Sequence, residues 1–225
     1  MKTPLLGTHL LFPGKAQYSY LPNKKGGIVD DMIVYMVEEN HYMLVVNASN
    51  IEKDWLWISS QNTMGVELIN ISENITLIAV QGPKSVELLQ NYTDLNLSSI
   101  KFYHFQKGIF AGFNDIIISA TGYTGSGGFE LYIPNKHAEV IWDLIFSSDS
   151  KFNVLPIGLA ARDTLRLEMG YCLYGNDIND YTSPISAGLS WVTKFNKEFI
   201  FYEVLFNGTV QNFINLMKNK NYNLD

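Results

Sequence analysis

The strongest constraint on the fold lies between Ala16 and Val46. Three runs rich in β-branched, aromatic and long apolar residues, Ala16–Leu21, Ile28–Val37 and Tyr42–Val46, are separated by Pro22-Asn23-Lys24-Lys25-Gly26-Gly27 and by Glu38-Glu39-Asn40. Such runs suit a pleated, half-buried surface, and links this short and this rich in turn residues join antiparallel neighbours. The spacing predicts a three-stranded meander.

Downstream the pattern is mixed. Asn50–Met64, with Trp55 and Ile58 and with Glu52, Lys53 and Asp54 near its start, reads as a helix capped by Asn50. Ile75–Val80 reads as a buried strand stopped by Gln81-Gly82-Pro83, and Ser85–Tyr92 as a short helix. Phe110–Phe113 and Ile116–Ala120 are strand candidates, and a glycine-rich turn then leads to Phe129–Ile133 in a second hairpin-like unit. His137–Phe146 and Gly158–Met169 follow as helices, the latter ended by Gly170, where a left-handed residue is easiest. Strands and helices without strict alternation give an α+β class, antiparallel sheets with packed helices. The expected organisation is an α+β subdomain over 1–72, a second over 73–205 and a polar tail over 206–225.

Composition narrows the function. With 47% hydrophobic and 17% charged residues in 225, the chain folds, and its net charge of −6 disfavours a phosphate backbone, so no nucleic-acid partner is expected. No run nears the ~18–20 apolar residues of a membrane span. One cysteine, Cys172, forms no internal disulfide and suits a reducing compartment. The start lacks secretory-signal character, so the cytoplasm is expected, with the mitochondrial matrix left open. The histidines, His9, His41, His104 and His137, lie far apart and give no metal-ligand spacing, so no metal is expected.

Four features could carry chemistry. In Gly26-Gly27-Ile28-Val29-Asp30-Asp31, strand alternation sends the two carboxylates to opposite sides, so they cannot share a site. Asp31 falls on the side of Ile33 and Tyr35, where it is desolvated unless a ligand meets it; the other reading is a turn-associated acid. Glu130, after Thr121-Gly122-Tyr123-Thr124-Gly125, can accept paired N–H donors from a heterocycle, or can belong to a surface hairpin. The sixteen basic residues include only two arginines, Arg162 and Arg166, four apart on one predicted helix. A planar fork serves a ligand carboxylate or an internal ion pair, with Asp163 and Glu168 nearby for the latter. Tyr18, Tyr20, Tyr35, Tyr123, Tyr171 and Tyr174 suit a flat ligand or a packed core.

These blocks stand in a recognisable order. Gly26–Tyr35 (GGIVDDMIVY), Leu44–Ala48 (LVVNA), Ala79–Pro83 (AVQGP), Gly122–Gly125 (GYTG) with Gly128–Glu130 (GFE), and Gly158–Gly170 (GLAARDTLRLEMG) with Leu173–Asp177 (LYGND) resemble the aminomethyltransferase family, the T-protein of the glycine cleavage system. The likeness runs from about Pro13 to Leu205. It implies the family's folate-binding fold and a transferase that moves a one-carbon unit from the aminomethyl-lipoyl arm of the H-protein to tetrahydrofolate, releasing ammonia. Tetrahydrofolate is then the co-substrate and the lipoylated H-protein the partner, with no metal. By the same resemblance Asp31 is the catalytic carboxylate, Glu130 accepts from the pterin ring, Arg162 holds the folate tail, and Asn47, Tyr18 and Tyr123 line the site.

The likeness departs at both ends. Met1–Leu10 resembles the family's start but passes almost at once to Pro13–Tyr18, without the folate-lining stretch between them. After Phe199–Leu205 the C-terminal β domain that closes over the site is expected to be lacking. Two other functions therefore stand beside the enzyme, a folate-binding relative outside glycine breakdown and an inactive truncated core.

Overall fold

The computed structural model describes residues 11–148 and 150–193. The expected tail over 206–225, the opening Met1–Leu10 and the family-like segment Phe199–Leu205 lie outside them. The meander forms as expected: β1 (Lys15–Pro22), β2 (Ile28–Glu38) and β3 (His41–Val46) make an antiparallel sheet in the order β1-β2-β3. Asn40 turns the second hairpin with a left-handed φ of 63°, which asparagine tolerates better than most residues. In the first turn the Asn23 side chain accepts from the Lys25 and Gly27 backbone N–H groups at 2.9 and 3.0 Å.

Gly27 is fixed by a close approach. A Cβ there would lie 1.9 Å from the Asp180 carbonyl oxygen, because the 179–180 backbone docks on this turn, with Ile28 N–H donating to the Asn179 carbonyl at 3.0 Å. The start of β2 is therefore clamped from outside its own sheet.

The second sheet has the order β4-β7-β6-β5 and is antiparallel throughout, from β4 (Ile75–Gln81), β5 (Phe105–Phe110), β6 (Phe113–Ser119) and β7 (Gly128–Pro134). One sequence expectation fails here. Phe110–Phe113 is not a strand, because Ala111 and Gly112, at φ 51° and 82°, make a two-residue hairpin turn with Phe110 opposite Phe113. The two flanking phenylalanines end β5 and begin β6. The expected hairpin of 116–120 with 129–133 is present as the β6–β7 pairing, Ser119 opposite Glu130.

Among the described residues there are four α-helices: α1 (Ile51–Gln61), α2 (Ser85–Leu89), α3 (Asn135–Phe146) and α4 (Leu159–Glu168). Four apolar clusters occur among the described residues, of which two involve the helices. The larger joins the β4–β7 sheet to α2 and α3 through Ile78, Leu88, Leu89, Ile116, Leu131, Ile141 and Ile145. On the first sheet, Trp57 and Ile58 of α1 pack on Leu21, Val29, Met32 and Val34. Gly170, at φ 70°, closes α4 as its position predicts. Asn50 does not cap α1, since its side chain bonds to Asp30 instead. The sheets meet where β1 lies against the start of β5, with Ala16 N–H donating to the Tyr103 carbonyl and Phe105 N–H to that of Gly14, at 2.8 and 2.9 Å.

Gly27→Ala is expected to lower the unfolding free energy by about 1–3 kcal/mol, the usual cost of forcing extra atoms into a packed interior. Urea denaturation measures it; an unchanged midpoint would contradict the contact with Asp180.

Candidate active site

β2 carries both carboxylates into the protein. Asp30 is 0% exposed and Asp31 is mostly covered. The strand faces do diverge, but the expectation that the two acids cannot share a site is corrected by one residue. Asn47, just past β3, turns its amide so that Nδ2 donates to Asp30 Oδ1 and to Asp31 Oδ1, each at 2.8 Å. A side chain leaving the neighbouring strand end reaches both oxygens across the pleat, which alternation along β2 alone does not reveal.

Each carboxylate then has its own partners. Asp30 also accepts from the Asn47 backbone N–H at 3.1 Å and from Asn50 Nδ2 at 2.7 Å. Asp31 Oδ2 accepts from the Tyr18 hydroxyl at 2.8 Å, and the Tyr18 ring stacks on Trp191 with centroids 5.8 Å apart. Burial raises the Asp31 pKa, and the hydrogen bonds from Tyr18 and Asn47 oppose the rise. The result is a positioned anion with an increased appetite for a proton. Tyr18 itself is pushed upward by burial and by the Asp31 charge, so it stays a hydroxyl donor.

Glu130 sits inside the second sheet, opposite Ala79 on one side and Ser119 on the other. Its Oε2 accepts a short hydrogen bond from the Thr121 hydroxyl. Burial raises its pKa, while the Thr121 bond and the positive charge of Arg162 lower it. Beneath it lies a group of hydroxyls: Tyr35 bonds to Tyr132 at 2.8 Å and to Ser119 and Thr121 at 3.2 Å. Tyr35 stands on β2 and Tyr132 on β7, so this buried group couples the Asp31 strand to the Glu130 strand.

The two arginines of α4 divide their roles. Arg166 is 3% exposed and held by Asp163 at 2.8 Å, by Asp177 and by the Tyr171 carbonyl at 2.9 Å. Its partners are Asp163 and Asp177; Glu168 is not among them. Arg162 is exposed and lies over the Tyr123 ring, its guanidinium carbon 4.3 Å from the ring centroid. Among the described residues no carboxylate is within ion-pair distance of it. Tyr123 is steadied below by stacking on Tyr171 and by its hydroxyl on the Cys172 carbonyl, and burial pushes its pKa up to about 12.

Two tyrosines lie within reach of more than one of these charges. Tyr103 feels both Glu130 and Asp31, and Tyr123 feels both Asp31 and Arg162. Tyr103 was invisible to sequence reasoning; its signal is a left-handed φ of 59°, rare for an aromatic residue. Tyr20 and Tyr35 are fully buried and serve the interior. The glycine-rich loop packs against the Gln81 amide, which donates to the Thr121 and Phe129 carbonyls at 3.2 and 3.1 Å; a Cβ on Gly122 would fall 2.0 Å from Gln81 Oε1. Two surface concavities, of 680 and 400 Å³, are lined by Pro83–Ser98 and Lys107–Asp115 residues and include none of these groups. Burial raises the pKa of the Cys172 thiol, the opposite of an activated nucleophile. Among the described residues no group of three or more histidine, cysteine, aspartate or glutamate side chains is arranged to hold a metal ion, and no helix there is long and apolar enough to cross a membrane.

A further acid completes the cluster. Asp54, on α1, is 1% exposed and stands three and four residues before Trp57 and Ile58, on the apolar stripe of its helix. Burial, then the neighbouring Asp30 carboxylate, push its pKa up to about 9. A carboxyl in that stripe is the sequence signal for it.

The α+β fold thus sets two largely buried carboxylates, Asp31 and Glu130, about one tyrosine, Tyr103, with the exposed Arg162 guanidinium acting on Glu130. The model of the GCVT N-terminal domain matches residues 7–197, and the chain belongs to that family. It is 63% identical over 189 residues to an aminomethyltransferase of Flavobacterium psychrophilum, covering 84% of this chain and 52% of that protein. With an aminomethyltransferase of Bacteroides fragilis it shares 60% over 185 residues, covering 82% and 51%. The crystal structure of glycine cleavage system aminomethyltransferase T from Bartonella henselae superposes with a TM-score of 0.80 at 32% identity, covering 92% of this chain and 56% of that one. The chain spans about half the length of these relatives.

Two outcomes follow from the site as described. Arg166→Met lowers the melting temperature by stranding Asp163 and Asp177, whereas Arg162→Met leaves it unchanged; equal effects would contradict the division of roles. The folded state holds an Asp54 proton that the unfolded chain releases above its ordinary pKa of 3.8. The stability this proton confers is full below about pH 4 and is lost as the pH rises towards 9. Asp31 and Glu130 act in the same sense, so urea melts of the native chain and Asp54→Asn isolate the Asp54 share: the decline with pH is shallower in the variant, and identical slopes would contradict the assignment.

Proposed function

We propose that this chain carries the catalytic surface of a tetrahydrofolate-dependent aminomethyl transfer, in which the one-carbon unit passes from the aminomethyl-lipoyl arm of the glycine cleavage H-protein to tetrahydrofolate. Carbon exchanges its bonds to sulfur and nitrogen for bonds to two folate nitrogens. The two protons that leave those nitrogens end on the lipoyl sulfur and on ammonia. The observation that carries the reading is Asp31, an anion buried beside apolar residues, gripped by Tyr18 and Asn47 and given a raised proton affinity.

Each residue has a chemical task. Asp31 takes a proton from the attacking folate nitrogen and offsets the positive charge that develops around the transferred carbon. Tyr18 and Asn47 keep its two oxygens in place, which matters because an ångström of misplacement is costly in a transfer of this kind. Glu130, with Thr121 occupying part of one oxygen, retains lone pairs for pterin N–H groups. Arg162, lying on Tyr123, presents its fork to the folate carboxylate tail. The fit is chemical: two acceptors for ring N–H groups and one cation for an acid.

The test is ammonia release from aminomethylated H-protein with tetrahydrofolate, alongside the folate-induced rise in melting temperature. Asp31→Asn is expected to cut ammonia release by about 10²–10⁴-fold, the usual share of a proton-transferring side chain, while the melting rise persists. Turnover by Asp31→Asn equal to that of the native chain would overturn the reading. A native chain that is stabilised by folate but releases no ammonia is instead a folate-binding relative, and one that folate does not stabilise is an inactive core.

A further inference from the structure

The buried acid on α1 does more than sit in an apolar stripe. Neither oxygen of Asp54 receives a hydrogen bond, and the polar group against it is the Asp30 carboxylate. A carboxylate offers about four lone-pair sites. Three on Asp30 are taken by N–H groups, from Asn47 Nδ2, the Asn47 backbone and Asn50 Nδ2. The fourth remains for an Asp54 hydroxyl. Two buried carboxyls in contact cannot both ionise, and the donors around Asp30 assign it the negative charge and Asp54 the proton.

We propose that Asp54 is a positioning residue for Asp31, acting through Asp30 and Asn47: the Asp54 hydroxyl completes the ring of donors around Asp30, and the Asp30 anion orients the Asn47 amide so that its nitrogen faces Asp31. The orientation follows from charge. With Asp30 ionised, the Asn47 amide oxygen would meet two carboxylates, so the NH₂ end turns to both. Without the Asp54 donor, one lone-pair site of the fully buried Asp30 carboxylate is left empty, and the carboxylate is free to turn away from Asn47. An Asp30 carboxylate that has turned no longer holds the amide nitrogen of Asn47 in place, and Asp31 loses one of its two side-chain donors. The charged groups facing Asp54 are Asp30 and Asp31 on β2 and Lys53 on its own helix; Lys53 is engaged by Asp180 at 2.6 Å and by the Val29 carbonyl at 2.8 Å.

The role assigned to Asp54 rests on Asp31 being the reactive carboxylate, but its test needs neither folate nor H-protein. Carbon-13 NMR of the aspartate carboxyls in the full chain follows Asp31 and Asp54 through a pH titration, in the native protein, in Asp54→Asn and in Asp54→Leu. The leucine fills the stripe without a donor, and the asparagine restores an N–H. Asp54 is expected to titrate far above the ordinary carboxylate range in the native chain. The Asp31 midpoint is expected to rise by about one pH unit in Asp54→Leu, the worth of one lost hydrogen bond to a charged acceptor, and to return close to the native value in Asp54→Asn. An Asp31 midpoint unmoved in Asp54→Leu, or an Asp54 carboxyl titrating near pH 4, would overturn the proposal. Should Asp54→Leu fail to fold, Asp54→Ala, which also lacks a donor, takes its place with the same expected rise of the Asp31 midpoint. Loss of ammonia release with these titrations as expected would count against the transfer reaction and not against the positioning role.

Discussion

One amide nitrogen, Asn47 Nδ2, holds the candidate site together. Two adjacent carboxylates on a buried strand repel each other and resist desolvation, and β2 tolerates them because the end of β3 delivers donors to both. The 3-10 turn of Ala48–Asn50 follows immediately, and Asn50 adds its own amide to Asp30 in place of capping α1. The helix start is thereby spent on the site, and α1 depends on its packing against β2 for its hold.

The wider fold couples the strand of Asp31 to the strand of Glu130 in two ways. Backbone hydrogen bonds link the β1 edge to the strand that begins at Phe105, and the hydroxyls of Tyr35, Ser119, Thr121 and Tyr132 form a buried polar joint between the sheets. Polar joints of this kind are costly when partly satisfied and rigid when complete. Glu130 shares its Thr121 partner with that joint, so the geometry of the second carboxylate is tied to the strand of the first.

Much of this was legible in the sequence, where local chemistry determines structure. The meander, the glycine that ends α4 and the pairing of 116–120 with 129–133 follow from alternation and turn residues, and the scarcity of arginine singled out Arg162 and Arg166. Where two readings competed, the structure separates them by partners: Arg166 is bound internally, Arg162 is turned to the surface. The Phe110–Phe113 expectation failed because a two-residue turn inside Phe-Ala-Gly-Phe has the composition of a strand. Asp54, Tyr103 and the shared grip of Asn47 were missed, because each depends on contacts between elements far apart in sequence. A charged residue on the Trp57–Ile58 stripe was the one visible hint.

We propose that Asp31, Glu130 and Arg162 form one ligand-binding surface. Chemical-shift mapping of the full chain with tetrahydrofolate tests it most directly. Perturbations concentrated at Tyr18, Asp31, Asn47, Tyr123, Glu130 and Arg162 are predicted. Perturbations confined to the concavity between Pro83 and Ser98, with the Asp31 hairpin silent, would contradict it.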